Sequence, residues 1–166
     1  MSTKTLVSLE EYLASSYEPD CDYVDGHIEE RNLGEKPHGR LQGRLIVILT
    51  PLLPSGIEVI PELRVQVGAN RFRVPDVCVA EYSDEPIVTK PPLLCIEVLS
   101  PEDRVNRLKR KIDDYLKMGV PNVWVLDPAT KQAYVATPAE GFHEVKSGVL
   151  RTENPPLEVL LSELFD

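Results

Sequence analysis

A chain of 166 residues, 42% of them hydrophobic and 27% charged, is long enough to bury a core without disulfides and differs in composition from a disordered protein. Its net charge of −9 argues against a protein that coats nucleic acid non-specifically, because phosphate repels an acidic surface, although a local basic patch or a divalent ion could still bind nucleic acid. The sequence has no apolar run of transmembrane length and no secretory signal after Met1, so we expect a cytoplasmic protein that does not enter membranes.

The N-terminal part is predicted to form a helix, a hairpin and a second helix. Ser8 and Glu11 make the pattern of a capping box, which predicts that a short helix begins here. Asp25-Gly26 predicts a two-residue turn between two short strands, so residues 8–30 should comprise a helix followed by a hairpin. Apolar residues recur at helical spacing over residues 39–53 and predict a longer helix.

The centre of the sequence is predicted to contain three strands and a helix. Residues 58–67 and 71–80 are rich in β-branched side chains and predict the two strands of a hairpin, and residues 93–99 predict a third strand. Both faces of the last two strands are largely apolar, as expected of strands that are covered on each side. A helix is predicted over residues 102–118, and Gly119 marks its end.

The C-terminal part is predicted to be rich in strands. Further strands are predicted over residues 122–126, 132–137 and 142–146. The periodicity of residues 157–165 fits a strand or a helix equally well. Together the elements predict an α/β (α+β) fold with a mixed central sheet flanked by helices. We expect one domain over residues 1–166, with a core over residues 39–128 and a β-rich tail over residues 131–166.

The three cysteines argue against disulfide and zinc sites. Cys21, Cys78 and Cys95 lie far apart in the sequence, none belongs to a CxxC pair, and their total is odd. That pattern argues against a disulfide framework and a zinc knuckle. We expect buried free thiols instead, above all at Cys78 and Cys95.

Two acidic residues interrupt the apolar pattern of the central strands. Asp76 and Glu97 lie among β-branched side chains, where an ionised carboxylate is unfavourable unless a partner neutralises it. A divalent cation such as magnesium would relieve the repulsion between two neighbouring carboxylates. If the strands are antiparallel neighbours with Asp76 opposite Glu97, Cys78 must lie opposite Cys95, because the two pairs of positions have the same sum.

The predicted helix after Glu97 is basic in an otherwise acidic chain. Residues 104–111 carry five basic side chains and no acidic one. The apolar stripe of this helix is predicted to consist of Val105, Leu108, Ile112, Tyr115 and Leu116. A helix packed on the sheet by that stripe would bring Lys111 to the rim of the carboxylate pair, where it could stabilise charge on a phosphate or orient an attacking water. The alternative is a solvated helix face, balanced by Glu102, Asp113 and Asp114.

Several short motifs occur in an order and spacing typical of one family. They are Arg73-Val74-Pro75-Asp76, Glu97-Val98-Leu99-Ser100-Pro101, Lys111-Ile112-Asp113-Asp114-Tyr115, Gly119-Val120-Pro121 and Trp124-Val125-Leu126-Asp127-Pro128. By these motifs the chain resembles the bacterial branch of restriction-endonuclease-like proteins in the PD-(D/E)XK superfamily. The early Tyr23-Val24-Asp25-Gly26 and the closing Ser162-Glu163-Leu164-Phe165 extend the likeness over nearly the whole chain. The resemblance implies a restriction-endonuclease-like fold and a metal-dependent endonuclease that hydrolyses DNA phosphodiester bonds.

The resemblance also implies the central residues of the site. Asp76 and Glu97 would be metal-binding and catalytic carboxylates, with the backbone carbonyl of Val98 as a further ligand. The implied cofactor is Mg²⁺, and Mn²⁺ would serve as readily in vitro. The superfamily places a lysine two residues after the glutamate, where this chain has Leu99, so the resemblance points to Lys111 as the catalytic lysine.

Further members of the site are expected around this centre. Asp22 stands where the family usually has glutamate and would complete the acidic cluster as a metal ligand, through water because its side chain is one methylene shorter. His38 matches a family histidine at the start of a helix and is expected, with Arg104 and Arg107, to bind the substrate. A symmetric homodimer would let so small a nuclease contact both DNA strands.

Two other functions remain open from the sequence. A catalytically silent nuclease-fold protein that binds nucleic acid or a protein partner is supported by Leu99 in the lysine position and by the acidic surface. In a purely structural interpretation, the carboxylates only form salt bridges with an arginine such as Arg71, Arg73 or Arg104. An arginine in the metal position would favour that interpretation, whereas Lys111 beside the carboxylates would favour the enzyme.

Overall fold

The computed structural model describes residues 5–32 and 34–165. The helices are α1 (Leu9–Ala14), α2 (Lys36–Leu49), α3 (Val105–Met118) and α4 (Leu161–Phe165), and a 3₁₀ turn, Thr50–Leu52, follows α2. The strands are β1 (Asp22–Val24), β2 (His27–Glu29), β3 (Ile57–Pro61), β4 (Val65–Gly68), β5 (Arg71–Arg73), β6 (Val77–Glu81), β7 (Leu94–Val98), β8 (Val123–Asp127), β9 (Gln132–Thr137), β10 (Gly141–Glu144), β11 (Val149–Glu153) and β12 (Pro156–Leu160). Among these residues, no helix is both long and apolar enough to cross a membrane.

The strands form three sheets that confirm the predicted fold class. The largest has six strands in the order β10-β9-β8-β7-β6-β3, the second has the order β2-β1-β5-β4, and β11 pairs with β12 alone. Neighbouring strands are antiparallel except for β7 and β8, which are parallel because α3 connects them. The central sheet is therefore mixed and flanked by helices, as the sequence predicted.

The six-stranded sheet is covered on both faces. On one face, Leu41, Leu45 and Leu49 of α2 pack with the strands and with the C-terminal tail, since their four-residue spacing places them on one side of the helix. On the other face, Ile112 and Tyr115 of α3 pack against the central strands. Buried apolar side chains on both sides explain why the central strands lack an alternating pattern.

The predicted central hairpin is bent, and each of its two predicted strands is broken into two. Residues 58–67 form β3 and β4, and residues 71–80 form β5 and β6, so the two halves belong to different sheets. The prediction of continuous strands was wrong because Glu62 adopts a positive φ of 52° and Pro75 cannot donate a strand hydrogen bond. The break leaves Asp76 immediately before β6, at the junction of the sheets.

The register between β6 and β7 confirms the sequence prediction. Cys78 lies opposite Cys95 in an antiparallel pair, and Val77 lies opposite Ile96. Both thiols are free and fully buried, and Cys21 is a buried free thiol as well, as expected from their spacing. The strand register therefore directs Asp76 and Glu97 toward the same place at the end of the two strands.

Both long helices begin at residues other than those predicted. α2 begins at Lys36 rather than residue 39, with Pro37 in its first turn, where proline is tolerated because that N–H has no partner in the helix. α3 begins at Val105 rather than residue 102, since the Asp103 side chain holds the preceding turn by accepting from the backbone N–H of Ser100 at 2.6 Å. Val105 is 66% exposed, so its assignment to the buried stripe was wrong.

The N-terminal elements were predicted correctly, whereas the C-terminal tail is richer than predicted. The Ser8 side chain caps α1, and the turn at Asp25-Gly26 joins β1 to β2. Strand β11 was missed, and residues 157–165 contain a strand followed by the helix α4 rather than one or the other. The tail packs into the main core through Leu150, Leu157, Val159 and Leu164.

Candidate active site

A cavity of about 50 Å³ lies where β7 ends, beside the first turns of α3 and under the segment that joins β2 to α2. Its lining includes Arg31, His38, Asp76, Glu97, Val98 and Lys111. Four of these are candidate side chains from the sequence, and Val98, whose backbone carbonyl was expected as a ligand, is in the lining as well. The structure thus brings the central candidates together around one opening.

Asp76 is held on the cavity wall by contacts to both carboxylate oxygens. Its Oδ2 accepts a hydrogen bond from the backbone N–H of Val98 at 2.7 Å, so the two strand ends are joined at this point. Its Oδ1 lies 2.6 Å from Nη2 of Arg31 and 3.3 Å from Nε2 of His38. Its backbone carbonyl accepts from Nε2 of Gln42 at 2.8 Å, which fixes the main chain against α2.

Glu97 is held by two side chains from one face of α3. Nζ of Lys111 lies 2.8 Å from Oε2, and the hydroxyl of Tyr115 donates to Oε1 at 2.6 Å. Lys111 and Tyr115 are four residues apart, which places them on the same side of a helix. Nζ of Lys111 is also 3.8 Å from Oδ2 of Asp22. One helix therefore delivers both groups that neutralise and orient Glu97.

Burial and neighbouring charges shift the pKa values of the cavity groups. Burial opposes ionisation of Asp76, but the hydrogen bond from His38 and the charges of Lys111 and Arg31 outweigh it and hold the Asp76 pKa below its usual range. Burial raises the pKa of Glu97, and the charge of Asp76 adds to the rise against the opposing charge of Lys111. Burial would lower the pKa of Lys111, but the surrounding carboxylates raise it above its usual value. Asp76 is therefore the more acidic carboxyl, and Lys111 is an ammonium at neutral pH.

Asp22 lies behind Lys111, in a second charge cluster that does not line the cavity. The guanidinium of Arg73, which is fully buried, contacts Asp22 at 3.2 Å, Glu29 at 2.8 Å and Asp114 at 2.7 Å. The other oxygen of Asp22 accepts from the backbone N–H of Val74 at 2.8 Å. Protein contacts thus occupy both carboxylate oxygens of Asp22, and a metal ion would have to compete with them for this expected ligand.

The two arginines expected to bind substrate are placed differently. Arg107 lines the cavity and donates to the backbone carbonyls of Glu29 and Glu30, which joins α3 to the early hairpin. Arg104 is exposed at the N-cap of α3 and lines the surface grooves beside the cavity rather than the cavity itself. Both lie on the same rim of the opening.

The arginine that pairs with Asp76 is none of the three named from the sequence. Arg71 contacts Asp25 and Asp114, and Arg73 belongs to the second cluster. Arg31 takes the place that the purely structural interpretation gave to an arginine such as one of these. The sequence suggested distant strand and helix arginines because the approach of the segment after β2 is a tertiary feature.

Sequence reasoning missed several other cavity contacts. Gln42 and Arg31 come from segments without any motif, and Asn32 donates to Ser100 at 3.2 Å across the mouth. The tyrosine hydroxyl on Glu97 could have been found, because Tyr115 follows Lys111 at helical spacing. The remaining contacts carry no signal in a single sequence.

The cavity offers oxygen donors that suit a hard divalent cation. The carboxylates of Asp76 and Glu97 and the backbone of Val98 line it together. Over residues 5–32 and 34–165, histidine, cysteine, aspartate and glutamate side chains do not converge in groups of three or more. Mg²⁺ needs only one or two protein carboxylates, since water and phosphate oxygens complete its shell. The donor set therefore fits Mg²⁺.

Comparison with known proteins identifies related sequences and folds. Residues 9–165 match the sequence model of the Uma2 family, which is described as "Putative restriction endonuclease". The fold is similar to the crystal structure of "a putative nuclease belonging to DUF820" from Anabaena variabilis ATCC 29413, with a TM-score of 0.82 and 20% identity over 96% of this chain and 97% of that chain. No curated protein matches the chain. At this identity, the structural likeness shows a shared fold.

Proposed function

Because this chain belongs to the Uma2 family of restriction-endonuclease-like proteins, we propose that it is a metal-dependent endonuclease that hydrolyses DNA phosphodiester bonds. One observation carries the proposal: two buried carboxylates, Asp76 and Glu97, face one small cavity together with the ammonium group of Lys111. Catalytic groups are commonly found where burial and neighbouring charges shift pKa values, as they do for this pair.

Nucleases of this fold generally use divalent metals, and the donor set here fits Mg²⁺ or Mn²⁺. Asp76, Glu97 and the backbone carbonyl of Val98 would hold the ion. When bound, the ion supplies Lewis acidity toward the scissile phosphate and the attacking water. The protein's own contribution is to hold both carboxylates in place: the backbone N–H of Val98 fixes Asp76, and the hydroxyl of Tyr115 fixes Glu97.

Lys111 is proposed to act on the phosphate or the attacking water. Its ammonium group lies 2.8 Å from Glu97 inside the cavity, so an incoming phosphate oxygen at the same place would meet a preorganised positive charge. The position two residues after Glu97 holds Leu99, whose side chain cannot serve this role. Helix α3 supplies the missing charge from the other side of the cavity.

The rim of the cavity is proposed to bind the DNA backbone. Arg107 lines the opening and the exposed Arg104 lies one helical turn before it, while the chain as a whole carries a net charge of −9. A local basic rim on an acidic protein would attract phosphate at this place and repel it elsewhere. A symmetric homodimer would place two such cavities on the two strands of a duplex.

A second candidate is a catalytically silent nuclease fold that binds nucleic acid or a protein partner. Leu99 in the lysine position and the acidic surface favour this candidate, and Arg31 already places a cation on Asp76 where a metal ion would bind. The cavity favours the enzyme instead, since carboxylates retained only for salt bridges would not need to line an opening. The two candidates differ in what happens when a divalent ion is added.

The test is incubation of the purified chain with supercoiled plasmid and Mg²⁺ or Mn²⁺, beside Asp76→Ala and Glu97→Ala variants and an EDTA control. We expect nicking or linearisation that EDTA and both substitutions abolish. Equal cleavage by the variants would identify a contaminant and refute the assignment of the carboxylates. Absence of cleavage with every metal and substrate, together with DNA binding by the unaltered protein, would establish the silent binding protein.

A further inference from the structure

The contact between Arg31 and Asp76 is made by a single nitrogen of the guanidinium. Nη2 of Arg31 lies 2.6 Å from Oδ1 of Asp76, and both side chains are more than nine-tenths buried. Among the described residues, however, the buried Nη1 of Arg31 has no hydrogen-bond partner. Nη2 of Arg73 also lacks a hydrogen-bond partner, but it lies 2.7 Å from a carboxylate oxygen of Asp114, so every nitrogen of that guanidinium is near a carboxylate. The Arg31 guanidinium meets Asp76 through one nitrogen, so its position is held by fewer contacts.

Arg31 and a metal ion would compete for the negative charge of the same carboxylate, and Arg31 occupies the oxygen with the more crowded surroundings. Oδ2 of Asp76 receives the backbone N–H of Val98, which belongs to β7 and cannot leave without disrupting the strand end. Oδ1 faces the cavity and already meets two side-chain donors, Nη2 of Arg31 and Nε2 of His38. A carboxylate oxygen has two lone pairs, so a cation can coordinate Oδ1 only if one of these donors moves away.

Of the two donors, Arg31 is the one placed to move. His38 lies within the first turn of α2, whereas Arg31 lies on the irregular segment between β2 and α2. The half-exposed carboxylate of Glu62 lies 3.9 Å from the same Nη2 and offers a second partner toward the outside. Moving the guanidinium away from Asp76 would therefore exchange one carboxylate for another.

We propose that Arg31 is a displaceable counter-ion of Asp76, which a divalent metal ion must replace, so that Arg31 sets the metal affinity of the cavity. The inference rests on the proposed function, since it takes the cavity to be a metal site. The unloaded cavity is near electrical neutrality, because the charges of Arg31, Arg107 and Lys111 balance those of Asp76, Glu97 and Asp103. A divalent ion that displaces the Arg31 guanidinium gives Asp76 a new positive partner. Asp76 and Glu97 then face two cations, the metal ion and Lys111, rather than three.

The experiment is titration of the full chain with Mn²⁺, followed by calorimetry and by the electron paramagnetic resonance signal of free Mn²⁺. The proteins are the unaltered chain, Arg31→Gln, Asp76→Asn and the double variant. Arg107→Gln is the matched control, because it removes one positive charge from the same cavity without touching Asp76. Thermal unfolding of each protein verifies folding, and Arg31→Met replaces Arg31→Gln if the latter fails to fold.

We expect Arg31→Gln to bind Mn²⁺ roughly tenfold more tightly than the unaltered chain or better, which is within the usual range of coupling between two ligands at one site. Arg107→Gln should change the affinity by no more than about threefold, because its charge is screened and further from the ion. The gain should vanish when Asp76→Asn is added, since the carboxylate for which metal and arginine compete is then gone.

Two results would overturn the inference and are distinguishable. If Arg31→Gln binds Mn²⁺ no more tightly than the unaltered chain while Asp76→Asn still weakens binding, the counter-ion role fails and the metal site stands. If Mn²⁺ affinity is the same in every protein including Asp76→Asn, the proposed metal site itself fails, and the counter-ion role with it.

Discussion

Two charge clusters lie on either side of Lys111, and they are neutralised in different ways. In the Arg73 cluster, the fully buried guanidinium is surrounded by three carboxylates, with each of its nitrogens within 3.2 Å of a carboxylate oxygen. In the cavity cluster, Asp76 and Glu97 line a space of about 50 Å³, and each meets one side chain of permanent positive charge. One cation is thus shared by three carboxylates in the Arg73 cluster, whereas each carboxylate of the cavity has a cation of its own.

The difference separates charges that hold the fold from charges that are available to a ligand. The Arg73 cluster ties the early hairpin to α3, because Glu29 belongs to β2 and Asp114 to α3. Removing its central cation would leave three neighbouring carboxylates with only the cations at the edge of the cluster, such as Arg71 beside Asp114. At the cavity, a cation can be exchanged for another because water and ions can enter. Substitutions in the Arg73 cluster should therefore lower stability more than activity, and substitutions in the cavity should lower activity more than stability.

The largest effect is expected from Arg73→Met. It should lower the free energy of unfolding by about 3–5 kcal/mol, because three carboxylates would lose their shared buried partner. Urea denaturation followed by circular dichroism measures the change. Arg151→Met is the control, since Arg151 and Glu158 form an exposed pair whose loss should matter by less than about 1 kcal/mol. An equally small loss for Arg73→Met would remove the distinction between the clusters.

The next effect is expected in activity rather than stability. Asp76→Asn and Glu97→Gln should each lower the rate of plasmid cleavage by at least about 100-fold, because an amide cannot replace the charge of a catalytic carboxylate. Their free energy of unfolding should fall by less than that of Arg73→Met, since water can reach the cavity. Cleavage rates and urea denaturation on the same preparations test both statements, with Glu158→Gln as control. If these variants lose as much stability as Arg73→Met, the main role of Asp76 and Glu97 is structural.

A smaller effect is expected from Tyr115→Phe. The change removes the hydroxyl that donates to Oε1 of Glu97 at 2.6 Å but leaves the buried ring. Loss of a hydrogen bond to a charged group should cost about 1.5–3 kcal/mol at most, and part of this should appear as slower cleavage because Glu97 is less firmly held. Tyr134→Phe, on β9 away from the cavity, is the control. If cleavage is unchanged while the full loss of stability is observed, Tyr115 has a structural role only.

The smallest effect is expected at the rim. Arg104→Gln and Arg107→Gln should each reduce the slope of log affinity for duplex DNA against log salt by about one, because one phosphate contact is lost. Fluorescence anisotropy of a labelled duplex over a salt series measures the slope. Arg151→Gln serves as the control for a distant exposed arginine. Identical slopes for all three variants would show that DNA binds at a place other than the α3 rim.

Local chemistry explains which predictions from the sequence were correct. The capping serine, the Asp-Gly turn and the glycine that ends α3 act through neighbours in the chain, so their elements appear where the sequence predicts. The register of Cys78 and Cys95 follows from the two-residue alternation of strands. The order of motifs suffices for the family and the fold class, which the family match and the shared fold confirm.

The bend in the central hairpin could not be predicted from strand propensity. β-branched residues continue across Glu62 and past Pro75, so strand propensity does not show where each strand ends or which sheet it joins. That bend places Asp76 beside Val98. Likewise, the contacts of Val105 depend on how α3 lies on the sheet, so helical periodicity alone put an exposed residue in the buried stripe.

By itself, the sequence determined the mixed fold and the pairing of β6 with β7. It also determined that the core contains two carboxylates and a lysine, whose buried charges need partners of opposite charge. Only the tertiary structure decided which cation compensates which carboxylate: Arg31 with Asp76, Lys111 with Glu97, and Arg73 with the cluster behind them. The physical reason is that turn chemistry and strand alternation act over a few residues, whereas the neutralisation of a buried charge depends on side chains that folding brings from distant segments.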